Sequence, residues 1–287
     1  MFGLMLGMGL TLSVDDFRRI AQAPAATLLG TSLQLVGMPL AGLGLALAYE
    51  LPPLLAAGLV VVAACPGGMF SNMYVHLAGG NTALSITLTA TATAVTLVTM
   101  PVWVQVALAV VEGGETSVDV PVFGSALRLA GLTILPVACG MLLRYRASEL
   151  LRFEKRLTRT SALLIVVGVT VDALGQPEPP VAEFRQSLAP ALWLLGAAVA
   201  SGLIVPLLLR LALRDAVTIA VELVVKNGLL GLVLTRQVLG FDATVPILAF
   251  ITFQSPVGIA LLVAWYFYDR RRPKLSGSAD CPDGPTC

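Results

Sequence analysis

The stretch CPGGMFSNMYVHLAGGNTALSITLTAT, residues 65–91, lies within a longer segment, residues 51–111, that contains no Lys, Arg, Asp or Glu. A soluble domain carries about 25% charged residues because its surface faces water. This chain of 287 residues is 57% hydrophobic and only 12% charged. A membrane-spanning helix needs about 20 apolar residues. The segment therefore predicts several crossings, and the chain is predicted to be an all-α membrane protein.

Composition also argues against several classes of function. A net charge of +1 argues against a nucleic-acid partner, and a single His argues against histidine-based metal or triad chemistry. The four Cys residues show no spacing typical of a disulfide framework or a metal site. We therefore predict that the protein is not an enzyme and that its partners are the lipid bilayer and a small solute.

Apolar runs divide the chain into nine segments. The first, residues 1–13, is too short to cross a membrane. The other predicted spans are 25–49, 51–77, 82–111, 120–143, 160–176, 187–209, 216–239 and 243–268. Residues 1–272 are therefore predicted to form one transmembrane transporter domain. Residues 273–287 are rich in Pro, Gly, Ser and Asp, which predicts a disordered tail.

The distribution of basic residues predicts the orientation. Lys and Arg accumulate in cytoplasmic loops. If the segments alternate in direction, the basic clusters at residues 18–19, 144–159, 210–214 and 270–274 all fall on one side. The opposite loops are acidic, with Arg185 as the exception. The pattern predicts a cytoplasmic C-terminus, and the Ala- and Leu-rich spans favour a bacterial inner membrane.

Two spans contain helix-breaking sequences. Residues 65–68 read Cys-Pro-Gly-Gly, and residues 225–228 read Val-Lys-Asn-Gly. Pro removes a backbone donor and Gly loosens a helix, so each sequence predicts an unwound stretch. Interrupted spans at corresponding places in two halves indicate the binding site of a transporter. A simple packing kink is the alternative for the first break alone.

The run from Cys65 to Thr91 strongly resembles the signature of the bile acid:sodium symporter family. MLGMGLTL (5–12) with DDF (15–17), Gln34 with Met38-Pro39, and Glu222 before Lys226-Asn227-Gly228 resemble other parts of that family in order and spacing. The resemblance covers nearly the whole chain.

The resemblance implies an inverted-repeat transporter fold of ten helices, with panel and core domains and two crossed discontinuous helices. It also implies sodium-driven uptake of an organic anion. The chain begins where the family's second helix begins, so we expect nine segments here, with the first helix missing. A misplaced start codon, a trimmed chain and a genuine nine-helix variant are all open.

Glu222 is an acid within an otherwise apolar span, where an ionisable side chain normally has a partner or serves an ion pathway. Ser85 and Thr89 are four residues apart and share a helical face. The family resemblance implies a first sodium site formed by Ser71, Asn72, Ser85, Thr89 and Glu222. The alternative for each hydroxyl alone is a hydrogen bond to its own helix.

For a second sodium site, the resemblance implies Gln34, Glu222 and the backbone carbonyls of Leu223 and Val225. The family has a Gln where this chain has Lys226, and a protonated lysine has no lone pair with which to bind sodium. We hypothesise that Lys226 is a tethered cation that replaces the second sodium. Coupling would then be to one sodium, or to a proton if Lys226 titrates. A lysine that snorkels to the interface is the alternative.

The resemblance places Asn227, Gln254 and Ser255 in the substrate cavity. Met69 stands where relatives often carry a small hydroxyl residue, so a polar contact to substrate is expected to be missing. The free N–H groups at the starts of the half-helices suit an anion.

The leading interpretation is a symporter that couples sodium or proton entry to uptake of an organic anion, such as a bile acid-like or small carboxylate solute. One alternative is a cation/proton antiporter without an organic substrate. The other is a receptor that has lost transport. Sodium is the only cofactor expected, and the sequence does not indicate an oligomeric state.

Overall fold

The structure, a computed structural model, describes residues 24–111 and 180–271, together with two residues near the N-terminus and several between residues 135 and 171. The described residues are almost entirely helical and contain no β-strand. An all-α fold is confirmed for this part of the chain. Most of the first stub, the tail 273–287 and most of the predicted spans 120–143 and 160–176 lie outside the described residues. The nine-segment count, the inverted repeat and the disorder of the tail therefore stay predictions.

The helices follow the apolar runs closely. They are numbered in chain order, and their bounds are α1 Pro24–Ser32, α2 Met38–Ala48, α3 Pro53–Ala64, α4 Met69–Leu77, α5 Thr82–Val111, α6 Val181–Leu208, α7 Leu213–Val224, α8 Gly228–Val238 and α9 Val245–Arg271. A π-helical turn, Leu33–Gly37, joins α1 to α2 without a break in the helix. Helix α6 begins six residues before the predicted start at residue 187.

Three described helices are long and apolar enough to cross a membrane: Pro24–Ala48, Val181–Leu208 and Asp242–Tyr268. Helix α5 is a fourth candidate, bent by 62° between Thr96 and Val98. Pro101 explains the position of the bend, because proline cannot donate to the carbonyl of residue 97 and its ring crowds that group. Large apolar side chains such as Leu28, Trp193 and Leu208 are exposed, as expected for surfaces that face lipid.

The two predicted breaks lie side by side. Residues 65–68 separate α3 from α4, and residues 225–227 separate α7 from α8. The two breaks form an antiparallel bridge between Gly67 and Lys226. The N–H of Asn227 donates to the carbonyl of Pro66 at 2.8 Å, and the N–H of Gly68 donates to the carbonyl of Val225 at 3.3 Å. Each break therefore provides hydrogen-bond partners for backbone groups that the other break leaves unpaired. Backbone groups within the hydrocarbon region of a membrane need such partners.

Helices α3 and α7 form the centre of the described structure. Every residue of α3 from Leu55 to Ala64 is buried, as is every residue of α7 from Ala216 to Val224. Helix α7 packs closely on α6, where a Cβ atom at Gly202 would lie 2.8 Å from the backbone nitrogen of Ala220. Small residues permit such close approach of membrane helices. This packing holds the end of α7, and with it Glu222, at the crossing of the breaks.

Candidate functional site

Glu222 is the centre of the candidate site. It lies in the last turn of α7 and is completely buried. Ser71 donates to its Oε1 atom at 2.9 Å, and Thr89 donates to its Oε2 atom at 3.0 Å. The hydroxyl of Ser85 also donates to Oε1. Three hydroxyl groups from two other helices thus surround one carboxylate.

The local structure explains why these hydroxyls meet. Ser85 and Thr89 are four residues apart in the first half of α5, so they share a face of that helix. Ser71 lies in the first turn of α4, immediately after the break. The neighbouring Asn72 presents its Oδ1 atom to Ser85 Oγ at 2.7 Å and to Thr89 Oγ1 at 3.5 Å. The structure therefore brings together all five residues predicted for the first sodium site.

The oxygen atoms in this cluster outnumber the protons available to join them. Ser71, Ser85 and Thr89 make six hydrogen-bond contacts with the Gly68 carbonyl, Asn72 Oδ1 and the Glu222 carboxylate. Each hydroxyl has one proton to donate, so three protons serve six contacts. A cation among these oxygens would satisfy the contacts that the hydroxyl protons do not serve. Such a set of carboxylate, amide and hydroxyl oxygens suits a hard cation.

Gly67 lies against this carboxylate. A Cβ atom at residue 67 would overlap Glu222 Oε2 and would lie 3.1 Å from Ser71 Oγ. The glycine in the first break is therefore needed for space at the carboxylate. The sequence identified Gly67 as a helix breaker and missed this second role.

The residues predicted for a second sodium site also lie near the breaks. Gln34 is in the π-helical turn, 1% exposed, and its Nε2 atom donates to the carbonyl of Cys65 at 3.4 Å. Its Oε1 atom is buried and has no hydrogen-bond partner among the residues that the structure describes. Leu223 and Val225 are buried, and the carbonyl of Val225 accepts from Gly68.

Lys226 is buried at the crossing, with 3% of its surface exposed. Its backbone N–H donates to Gln254 Oε1 at 3.0 Å. Its Nζ atom is buried and has no hydrogen-bond partner in the described part of the chain, so it makes no direct hydrogen bond to Glu222. The burial of this atom argues against the interfacial, snorkelling alternative.

The residues predicted for the substrate cavity lie beside the second break. Asn227 is half-buried and caps α8, with its Oδ1 atom accepting from the N–H of Leu230 at 3.2 Å. Gln254 and Ser255 are half-buried in α9, and Met69 is the first residue of α4. Asn227, Gln254 and Ser255 do not line the cleft of about 600 Å³ near Pro52, Glu183 and Asp242.

A second polar cluster was not predicted from the sequence. Arg214 donates to the carbonyls of Gly79 and Gly80 at 3.0 and 2.9 Å. Asn81 donates through Nδ2 to Asp215 at 2.8 Å and through its backbone N–H to Thr218 Oγ1 at 3.0 Å. These bonds tie the loop between α4 and α5 to the start of α7. The sequence signals only a charged loop there, because the contacts join residues more than 130 positions apart.

Comparison with known proteins provides independent information. Residues 1–176 match the Sodium Bile acid symporter family. The chain is 30% identical over 263 residues to the "Probable sodium/metabolite cotransporter BASS1, chloroplastic" of Arabidopsis thaliana, a match that covers 91% of this chain and 64% of that protein. The BASS1 protein of Oryza sativa subsp. japonica is 29% identical, with 63% of its length covered. This chain therefore spans less than two thirds of the length of either plant relative.

Two further relatives come from other lineages. The chain is 27% identical over 276 residues to the "Uncharacterized sodium-dependent transporter YocS" of Bacillus subtilis (strain 168), covering 96% of this chain and 84% of that protein. It is 28% identical over 182 residues to "Sodium/bile acid cotransporter 4" of Homo sapiens, covering 61% of this chain and 40% of that protein. Both names describe sodium-dependent transporters.

Proposed function

Because the chain belongs to the Sodium Bile acid symporter family, a family of transporters and not of enzymes, we propose that it is a secondary active symporter. It couples sodium entry to the uptake of an organic anion. The protein is a multi-pass membrane protein, and the proposed sodium ion is cargo bound at the crossing of its two broken spans.

The observation that carries this proposal is the oxygen cluster at Glu222. Six hydrogen-bond contacts share three hydroxyl protons, and the carboxylate at their centre is buried. Lys226 makes no direct hydrogen bond to this carboxylate among the described residues. Sodium supplies positive charge in direct contact with the oxygens, with Ser71, Asn72, Ser85, Thr89 and Glu222 as its ligands. Because these residues come from α4, α5 and α7, the bound ion holds three helices together.

The substrate binds beside the ion in this proposal. Asn227, Gln254, Ser255 and Met69 form its cavity, and the starts of α4 and α8 provide partial positive charge toward an anionic group. Relatives named for metabolites and for bile acids support a bile acid-like or small carboxylate solute. Because ion and substrate share one site, binding of either favours binding of the other.

The proposal extends to position in the cell. Residues 1–272 form the transporter domain in the inner membrane, and residues 273–287 form a cytoplasmic tail. The one-sided distribution of Lys and Arg supports this orientation.

Sodium binding and solute binding should be tested separately. Equilibrium binding of ²²Na⁺ to the purified full chain should be saturable, and Glu222→Gln should abolish it. A thermal-shift screen of cholate, pantoate and pyruvate, run with sodium or with potassium, should find an anion that stabilises the protein only in sodium. Absence of ²²Na⁺ binding in the parent protein contradicts the proposal.

Proteoliposomes distinguish the remaining alternatives. Accumulation of the stabilising anion inside the vesicles, driven by an inward sodium gradient, supports symport. Proton flux without an organic solute would identify a cation/proton antiporter. Binding of the anion without flux would identify a receptor.

A further inference from the structure

The buried ammonium group of Lys226 has no role in the sodium site described above. Its Nζ atom is buried without a hydrogen-bond partner among the residues that the structure describes. An ammonium group carries three N–H donors and a full charge. Burying one without compensation costs several kcal/mol. A lysine kept in such a place therefore needs an electrostatic function.

The backbone fixes Lys226 at the centre of the protein. Its N–H donates to Gln254 Oε1, and the residue pairs with Gly67 across the two breaks. Its neighbour Asn227 donates to the carbonyl of Pro66. These bonds hold Lys226 within the crossing.

One negative charge acts on the ammonium group. Glu222 supplies it, because the buried thiol of Cys65 is neutral. The crossing also contains an unused acceptor, since Gln34 donates to the carbonyl of Cys65 and its Oε1 atom has no hydrogen-bond partner among the described residues. The crossing thus contains an unpaired acceptor oxygen as well as the fixed cation.

The charges of the site can then be counted. Glu222 and Lys226 together are neutral, so the crossing without sodium has no net attraction for an anion. One bound sodium gives the crossing a net charge of one positive unit. A solute with one negative charge restores neutrality.

We propose that Lys226 is a permanently attached cation of the transport site, so that a single sodium ion is sufficient to make the site attractive to a monovalent anion. This inference rests on the proposed symport function. It deepens that function by fixing the ion count at one and the charge of the preferred solute at one negative unit.

Replacement of the fixed cation tests the inference. The parent protein should bind about one ²²Na⁺ per chain, with a Hill coefficient of about one. Lys226→Gln removes the cation that balances Glu222 and adds an amide oxygen at the crossing, where Gln34 already has an unpaired one among the described residues. It should therefore bind about two sodium ions with a Hill coefficient above one. Lys226→Met removes the charge without adding an oxygen, and it should still bind one.

Two control variants separate charge from damage. Lys226→Arg keeps the charge and should keep one sodium per chain. Arg185→Gln removes an exposed positive charge on α6, and this variant should bind as many sodium ions as the parent protein. All variants should be monodisperse in size-exclusion chromatography before binding is measured.

The outcomes are distinguishable. The inference is overturned, with sodium symport left intact, if the parent protein binds two sodium ions. It is also overturned if the parent and Lys226→Gln each bind one. No sodium in the parent overturns the proposed function and this inference together.

Discussion

The carboxylate of Glu222 lies against the backbone of Gly67 in the facing break, so closely that a Cβ atom at residue 67 would overlap Oε2. One residue supplies the charge of the proposed ion site, and the other supplies the space for it. This contact joins a break and a helix end that lie more than 150 residues apart in the chain.

Gly67→Ala should weaken sodium binding. The added methyl group must displace the carboxylate or the break, and overpacking of this kind costs about 1–3 kcal/mol. We expect the sodium dissociation constant to rise about tenfold or more, since 1.4 kcal/mol corresponds to a factor of about ten. Equilibrium ²²Na⁺ binding measures the change. Gly44→Ala is the matched control, because no described atom lies within 4 Å of a Cβ atom there. Equal affinities in the two variants would contradict the prediction.

Ser85→Ala should reduce sodium affinity by roughly tenfold. The substitution removes an oxygen that contacts both Glu222 and Asn72. A polar contact to a charged group is worth about 1.5–3 kcal/mol. Thr91→Ala in the same helix is the control. The Thr91 hydroxyl donates to the carbonyl of Thr87 at 2.8 Å, within its own helix. Sodium titrations of the two variants should therefore differ, and a similar loss in both would argue against a specific site.

Glu222 and Lys226 should be energetically coupled even without a direct hydrogen bond between them. Glu222→Gln leaves the buried ammonium group uncompensated, and removing one partner of a buried charge pair costs about 3–5 kcal/mol. The double variant Glu222→Gln with Lys226→Met should recover part of this loss. Thermal unfolding of the two single variants and the double variant, without sodium, measures the coupling. Strictly additive losses would show that the two charges do not interact.

Gly202→Ala should destabilise the packing of α6 on α7. The new Cβ atom would lie 2.8 Å from the backbone nitrogen of Ala220, which cannot move aside as a flexible side chain could. We expect a loss of about 1–3 kcal/mol in stability. Gly196→Ala is the control on the same helix, because no atom of the described part of the chain lies within 4 Å of its Cβ position. Thermal unfolding should show a lower midpoint for Gly202→Ala than for Gly196→Ala, and the prediction is wrong if the order is reversed.

The sequence was sufficient to predict features that depend on local chemistry. Pro66 and the glycines after it predict the first break, and the spacing of Ser85 and Thr89 predicts a shared face. Glu222 attracted attention because a lone acid in an apolar span is costly. These local signals single out polar groups along the chain, and the family resemblance implies that five of them form one site.

Features that depend on long-range geometry could not be predicted in this way. The pairing of Gly67 with Lys226 and the close approach of Gly67 to Glu222 join residues far apart in the chain. The orphaned Nζ atom of Lys226 is a property of its surroundings. Neither propensity nor spacing reports which side chains fill the space around a group.

The π-helical turn Leu33–Gly37 makes the length of this helix as important as its composition. A π turn holds one residue more than an α turn, and each residue of an α-helix advances the facing direction by about 100°. Removing a single residue between Ser32 and Met38 would restore a uniform helix and rotate one half of it against the other. Gln34 would then point away from Cys65. We therefore expect this span to tolerate a substitution better than an insertion or a deletion.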